Sequence, residues 1–308
     1  MHTSTIICPF FRTFVGSAPV RMNPNVSMLS SQSTSPSTLR TIVYFKTLVF
    51  ILLLSSCDSY SRLLKSNDIP LKLSKAREYY HRGDYYRAQP LLEELNTLFR
   101  GSEVAGELQF MSAYTSFHER GYELASFQFQ QLAVNFAGSS RGEEAAFMHA
   151  YCLYLNSPEY GLDQKNTESA IEGLQLYINK YPKSIHLADC HRFMDMLRDK
   201  LEKKAIDRAM LFYKMEDHRA ATALLKRTLT DFPDITQREY LLYLLADSYY
   251  KLSVNSILAK QAERCTATLQ AANQLKEEFP DSKYTKSVEK MTHEIAALQS
   301  HLNTIPSN

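Results

Sequence analysis

Cys57 is the residue of this chain best placed to do chemistry. It follows Leu54-Ser55-Ser56 and closes an apolar run from Thr47 to Leu54. Small side chains before it would leave the backbone open to a peptidase, and its thiol is the atom that would take a diacylglycerol. Other candidates are weaker. His149 and Cys152 stand at i, i+3 and Cys190 adjoins His191, but neither pair has the further ligands that a zinc site needs, so helix packing is the reading for both. With Cys57 acylated, Cys152, Cys190 and Cys265 leave an odd count. An oxidising compartment could pair two of them, the spacing chooses no pair, and buried reduced thiols are the expectation. Gly101, Gly138 and Gly142 fall in turns between helices and make no phosphate loop. The cluster RDKLEKK, Arg198 to Lys204, alternates sign and reads as a solvated helix face. These readings predict no catalytic residue, no metal site and no cofactor beyond a covalent lipid on Cys57.

The elements around Cys57 fit that chemistry. Residues 1–57 hold Arg12, Arg21, Arg40 and Lys46 and no Asp or Glu. Basic residues, a short apolar core and small residues make the order of a secretory signal. The apolar run is too short to span a bilayer, which takes about 20 residues. Leu54 to Cys57 looks like a bacterial lipobox, so 1–56 is read as a signal peptide and Cys57 as the first mature residue. Organellar transit peptides are also acid-free, but they are amphipathic and do not end a compact apolar run on cysteine. Residues 1–27 make the signal unusually long, and translation is expected to start at Met28 or further downstream. Several acyl chains on one thiol give stable membrane attachment. Residues 57–70 then read as the lipidated cysteine and a polar tether.

The remainder is different in kind. Residues 58–308 hold 31 basic and 33 acidic residues, a net charge of −2. No broad phosphate-binding face follows, and nucleic acid is not an expected partner. Over the whole chain Trp is absent, Gly numbers nine, and there are 19 Tyr and 16 Phe, a composition suited to helices packed through aromatic rings. An aromatic residue followed by a turn recurs at Phe99, Phe136, Tyr181, Phe232 and Phe279, at intervals of 37, 45, 51 and 47 residues. Eleven residues before each stands a small one: Ala88, Ala125, Ala170, Ala221 and Thr268. Four and seven residues after the small one come Leu92 and Leu95, Phe129 and Leu132, Leu174 and Tyr177, Leu225 and Thr228, Ala272 and Leu275. Offsets of 4, 7 and 11 trace one stripe of a helix. A second helical pattern precedes each stripe, joined to it by turns such as HRGD, with Gly83, and ERGY, with Gly121; Met215-Glu216 stands where the fourth unit would have its glycine.

Periods of this size mean stacked supersecondary units. The fold expected is all-α, a tetratricopeptide-repeat solenoid of about five helix pairs. Repeats 1–3 occupy 71–185. A junction helix, repeats 4 and 5 and a cap occupy 186–301, and 302–308 is a tail. The third unit carries the insertion NSPEYGLDQKNTES, and the fifth a longer loop around Ser253 to Lys260. The stretch from Ser184 to Lys214 is too long for one repeat helix and is read as one extra helix or one long bent one. Tyr79, Tyr80, Phe110, Tyr114 and Phe117 fall on first helices, where arrays of this kind line a groove. Most are expected in the core between repeats and the rest in a groove for an extended peptide.

Lipobox, tether, five such units, an aromatic-Pro ending in the last three and a long helix after the third together resemble the BamD family, lipoproteins of the outer-membrane β-barrel assembly machinery. Phe193 to Asp234, FMDMLRDKLEKKAIDRAMLFYKMEDHRAATALLKRTLTDFPD, carries the resemblance most specifically. It covers 57 to about 290, and the first two units depart from it by lacking the Pro. The resemblance implies a protein without enzymatic activity, held by lipid on the periplasmic face of the outer membrane. Its implied partners are the periplasmic domains of the barrel-forming subunit, at the C-terminal repeats, and unfolded outer-membrane proteins, at the N-terminal repeats. Another periplasmic tetratricopeptide lipoprotein, serving cell-wall or nutrient-uptake complexes, is the alternative; glycan- or peptide-uptake lipoproteins of that kind are longer, with large insertions between repeats. Asp58, directly after Cys57, is a residue that some bacteria use to keep lipoproteins at the inner membrane.

Overall fold

A computed structural model describes residues 56–304, and among the described residues there are twelve helices and no strand. The leader lies outside the described residues up to Ser55, as do residues 305–308; of Cys57 only the helical backbone is described. In chain order the helices are α1 Ser56–Lys65, α2 Ile69–His81, α3 Tyr85–Leu98, α4 Ala105–His118, α5 Tyr122–Asn135 and α6 Ser140–Leu155. They continue with α7 Lys165–Lys180, α8 Leu187–Lys214, α9 His218–Asp231, α10 Arg238–Val254, α11 Leu258–Glu278 and α12 Thr285–Thr304. From α2 onward each helix packs on the next, and α10 also meets α12. Contacts confined to neighbouring repeats are what make a solenoid. The pairs α2/α3, α4/α5, α6/α7, the second half of α8 with α9, and α10/α11 are the five repeats.

The stripe residues form its interior. Ala88, Ala125, Ala170, Ala221 and Thr268 are fully buried, as are Leu92, Phe129, Leu174, Leu225 and Ala272; Leu95, Leu132, Tyr177, Thr228 and Leu275 are at most 3% exposed. The aromatic at the fourth position ends each helix. Backbone N–H groups of Phe99, Phe136, Tyr181, Phe232 and Phe279 donate to the carbonyls of Leu95, Leu132, Tyr177, Thr228 and Leu275 at 2.9 to 3.0 Å. Two devices then turn the chain. Pro182, Pro233 and Pro280 drive the preceding aromatic out of the helical region, to ψ of 65°, 77° and 75°. Phe99 and Phe136 lack the Pro, keep ψ of 16° and 26°, and are followed two residues later by Gly101 and Gly138 at φ +83° and +80°.

Turns within repeats 1, 2 and 4 share one geometry. Asp84, Gly121 and Asp217 donate their N–H back to the carbonyls of Tyr79, Ser116 and Phe212 at 2.9, 2.9 and 3.1 Å, around Gly83, Arg120 and Glu216 at φ +74°, +63° and +61°. This is the Schellman closure. In repeat 2 the left-handed residue is therefore Arg120, one place before the expected glycine, and Gly121 serves as the helix N-cap.

Four segments differ from the sequence reading. Residues 58–70 are no extended tether: the chain is helical through Lys65, and Leu63 is only 8% exposed. Lys72, 2% exposed, donates to the Leu64 carbonyl at 3.0 Å and pairs with Glu94 at 2.7 Å, so the end of α1 is pinned between α2 and α3. The loop of repeat 5 shrinks to Asn255–Ile257, because both helices extend into it. The tail is helical as far as Thr304. The Arg198–Lys204 cluster is not simply solvated. Lys200 donates to the Pro158 carbonyl at 2.9 Å and to Ser157 Oγ at 2.7 Å, Lys204 donates to the Leu162 carbonyl, and Lys203 sits 4.6 Å from the centre of the Tyr160 ring. These lysines hold 156–164, the loop part of the repeat 3 insertion, on the middle of α8.

The junction is a single helix of 28 residues. Its first half gives Cys190, Phe193, Met194 and Leu197 to the core of repeat 3, and its second half gives Ile206 and Ala209 to the core of repeats 4 and 5. Between Leu197 and Ile206 no residue is fully buried. One helix thus serves two cores, joined at its polar middle.

Candidate functional site: a row of rings along the N-terminal repeats

The first helices carry aromatics at helical spacing. On α6 they are Phe147, Tyr151 and Tyr154, at i, i+4 and i+7. These rings meet rings of neighbouring repeats in one connected row. Tyr80 meets Tyr85 edge-on at 5.9 Å, and Tyr85 stacks on His118 at 4.3 Å. His118 touches Phe117 at 5.4 Å, and Phe117 reaches Tyr151 at 6.0 Å. Tyr151 leads to Phe147 and Tyr154, each at 6.0 Å. Phe147 stacks on His186 at 3.9 Å, and Tyr154 on Phe193 at 4.3 Å. The row crosses repeats 1 to 3 and ends on α8. Offset and edge-to-face pairs of this kind add about 0.5–1.5 kcal/mol each beyond area burial. Burial pushes the His118 imidazole below its ordinary range and the Tyr151 phenol above its own. Both shifts favour uncharged rings.

The five groove candidates are all half-buried. Tyr80 and Phe117 are members of the row. Phe110 packs on Phe136 at 5.6 Å and Tyr114 edge-on against Phe129 at 5.0 Å, in the core between repeats 2 and 3. Tyr114 also approaches His118 at 6.4 Å. The Tyr79 carbonyl closes the first turn. Sequence reasoning did not single out Tyr85, His118, Phe147, Tyr151, Tyr154 or His186; the 147–151–154 spacing was a usable signal.

Side-chain rungs tie successive first helices. Arg77 forms a two-pronged bond with Glu107 at 2.8 Å, and Tyr114 donates to Glu144. Tyr154 Oη lies 3.5 Å from Met196 Sδ, Tyr213 donates to Asp247 at 2.7 Å, and Tyr250 donates to Glu294. Every adjacent pair from α2 to α12 has its rung, which fixes the spacing of the rings that the helices carry.

His149 and the cysteines are packing residues. His149 Nδ1 lies 2.9 Å from Ser126 Oγ and 3.0 Å from the Ser126 carbonyl oxygen, and burial lowers its pKa. Cys152, Cys190 and Cys265 are free and buried, and burial pushes the first two thiols up to about 12 and about 11. Beside the middle of the junction helix, a cleft of about 490 Å³ opens where α7, α8 and α9 meet, with Leu201, Leu224 and Phe232 beside Glu168, Arg208 and Arg227.

Residues 72–212 and 201–302 match the YfiO family, described as outer membrane lipoproteins. The chain belongs to the YfiO family of outer membrane lipoproteins. Its two matched stretches overlap on α8, the helix shared by the two cores. BamD is a member of the YfiO family. No curated protein matches the chain. Among the described residues no helix is long and apolar enough to cross a membrane, and YfiO membership associates the chain with the outer membrane.

Proposed function

We propose that this YfiO-family chain is a non-enzymatic component of the outer-membrane β-barrel assembly complex, attached to the membrane by lipid on Cys57. Its C-terminal repeats dock the periplasmic domains of the barrel-forming subunit, and its N-terminal repeats receive the C-terminal strands of unfolded outer-membrane proteins. The observation that supports this most is the ring row, which runs unbroken through repeats 1 to 3 on helices whose spacing is fixed by side-chain rungs. Such a surface meets an extended apolar segment without first ordering itself, which lowers the cost of binding. Tyr and His rings add hydroxyl and N–H groups that can bond a peptide backbone. The cleft at the head of the C-terminal repeats, with apolar side chains between charges of both signs, suits a folded partner.

The experiment is affinity purification of the tagged chain from detergent-solubilised membranes. Co-purification of an outer-membrane barrel bearing periplasmic repeat domains is the expected result. Recovery of cell-wall enzymes or a TonB-type transporter alone would reject the reading. A Cys57→Ala variant should leave the membrane fraction.

A further inference from the structure

Helix α5 of repeat 2 presents an apolar stripe to solvent. Leu124, Phe127 and Val134 are 46%, 59% and 68% exposed, and the exposed Gln131 completes the stripe. The spacing i, i+3, i+7, i+10 is that of a coiled-coil seam. The other repeats serve as controls. Two residues after its small residue, α5 has Phe127, where the other second helices carry Pro90, Glu172, Ala223 and Gln270, all exposed. Nine residues after it, α5 has Val134, where the others carry Thr97, Asn179, Thr230 and Glu277, also exposed. The repeat fold therefore asks for no aromatic at the first place and no aliphatic side chain at the second. Only α5 has them.

A helix suits this stripe better than an extended segment. The backbone groups of α5 bond within their own helix, so a strand laid across it would leave its N–H and C=O groups unpaired, whereas a helix arrives with its own satisfied. The stripe is also complementary to itself. When a second α5 is turned antiparallel about the level of Phe129, its Val134 meets Leu124 and its Gln131 meets Phe127, and the same two contacts recur by symmetry. The two exposed Gln130 side chains come together beside the axis, each with donors and an acceptor for the other. Glu123 is the one charged side chain of α5. In this register its two copies stand about 18 Å apart along the helices, beyond the screening length of about 8 Å at physiological salt.

We propose that this face is covered by a second copy of the chain, the two α5 helices packing antiparallel through Leu124, Phe127, Gln131 and Val134. Such a contact is isologous, the same patch serving on both copies. With Pro90 and Glu172 at the Phe127 position of the adjoining repeats, the seam is one helix per copy. That places it at the small end of specific interfaces, below about 1,200 Å² in total, so the pair dissociates on dilution. The ring row lies on the first helices of the repeats and is not part of the contact.

Register-specific cross-linking of the full chain in detergent tests this. Leu124→Cys and Val134→Cys are placed in separate chains that carry tags of different size, and the parent without an added cysteine sets the background. Cys152, Cys190 and Cys265 are buried and stay out of the reaction. In the antiparallel pair positions 124 and 134 share a level, within the disulfide reach of about 7 Å between Cα atoms, whereas two copies of position 124, or of 134, lie about 15 Å apart. Oxidising the mixture should give the mixed dimer in at least about tenfold excess over either same-site dimer. Phe127→Glu in both chains should remove the excess. All three positions are exposed, so the variants should keep the parent's melting temperature. Mixed and same-site dimers in the ratio of chance collision within a micelle overturn the proposal, as do an excess that survives Phe127→Glu and the absence of any mixed dimer as concentration is raised.

Discussion

Replacing Glu216 by glycine should stabilise the protein, although no contact is gained. Glu216 holds φ +61° in a turn whose bonds match those around Gly83 and Arg120. An L-residue in the left-handed region pays about 1–2 kcal/mol. Glycine removes that cost and adds about 0.5–1 kcal/mol of unfolded-state entropy. The net gain is about 0.5–1 kcal/mol, or roughly 1–4 °C in melting temperature for a domain of this size. Arg120→Gly should add a similar increment, since the two turns lie in separate repeats with no shared partner. Gly83→Ala, at the same position of repeat 1, should lower the melting temperature by a comparable amount. Thermal melts followed by circular dichroism at the helical band read all three. A lower melting temperature for Glu216→Gly would refute the argument, because it would mean that the side chain, and not the backbone geometry, maintains the turn.

Tyr213→Phe removes the bond to Asp247, whose carboxylate keeps Lys251 at 2.8 Å; a loss of about 1–2 kcal/mol in urea denaturation is expected. The depressed pKa of His149 makes its contribution to stability complete above the ordinary histidine value of about 6.5 and progressively lost as pH falls through the lower folded value. His149→Gln should therefore flatten the dependence of unfolding free energy on pH below about 6.5, and an unchanged slope would contradict the burial argument. With their thiols pushed up to about 12 and about 11, Cys152 and Cys190 should resist a disulfide reagent at neutral pH in the folded chain and react once urea unfolds it.

The repeats were legible because their signal is steric and periodic. An alanine or threonine eleven residues before an aromatic marks where two helices touch, and all five of these residues are fully buried. Cores shared across repeats do not depend on the exact loop chemistry, so the missing Pro in units 1 and 2 altered the turn and not the stack. What stayed hidden depends on position in space. Lys200 and Lys204 look like a solvated face until the insertion of repeat 3 folds back onto them. Residues 58–65 are polar enough to read as a tether, and only the burial of Leu63 and the Lys72 bond to Leu64 mark the last turn, 63–65, as packed. The candidate site was legible in part. Tyr80 and Phe117 were read from helix position, but Tyr85 and His118, which link repeats 1 and 2, come together only through stacking.

Depletion of the chain followed by quantification of outer-membrane proteins tests the central claim most directly. If the repeats scaffold barrel assembly, many unrelated barrels should fall together, while lipoproteins and inner-membrane proteins hold their levels. Unchanged barrel abundance, or a defect confined to the cell wall or to one transporter, would contradict the account.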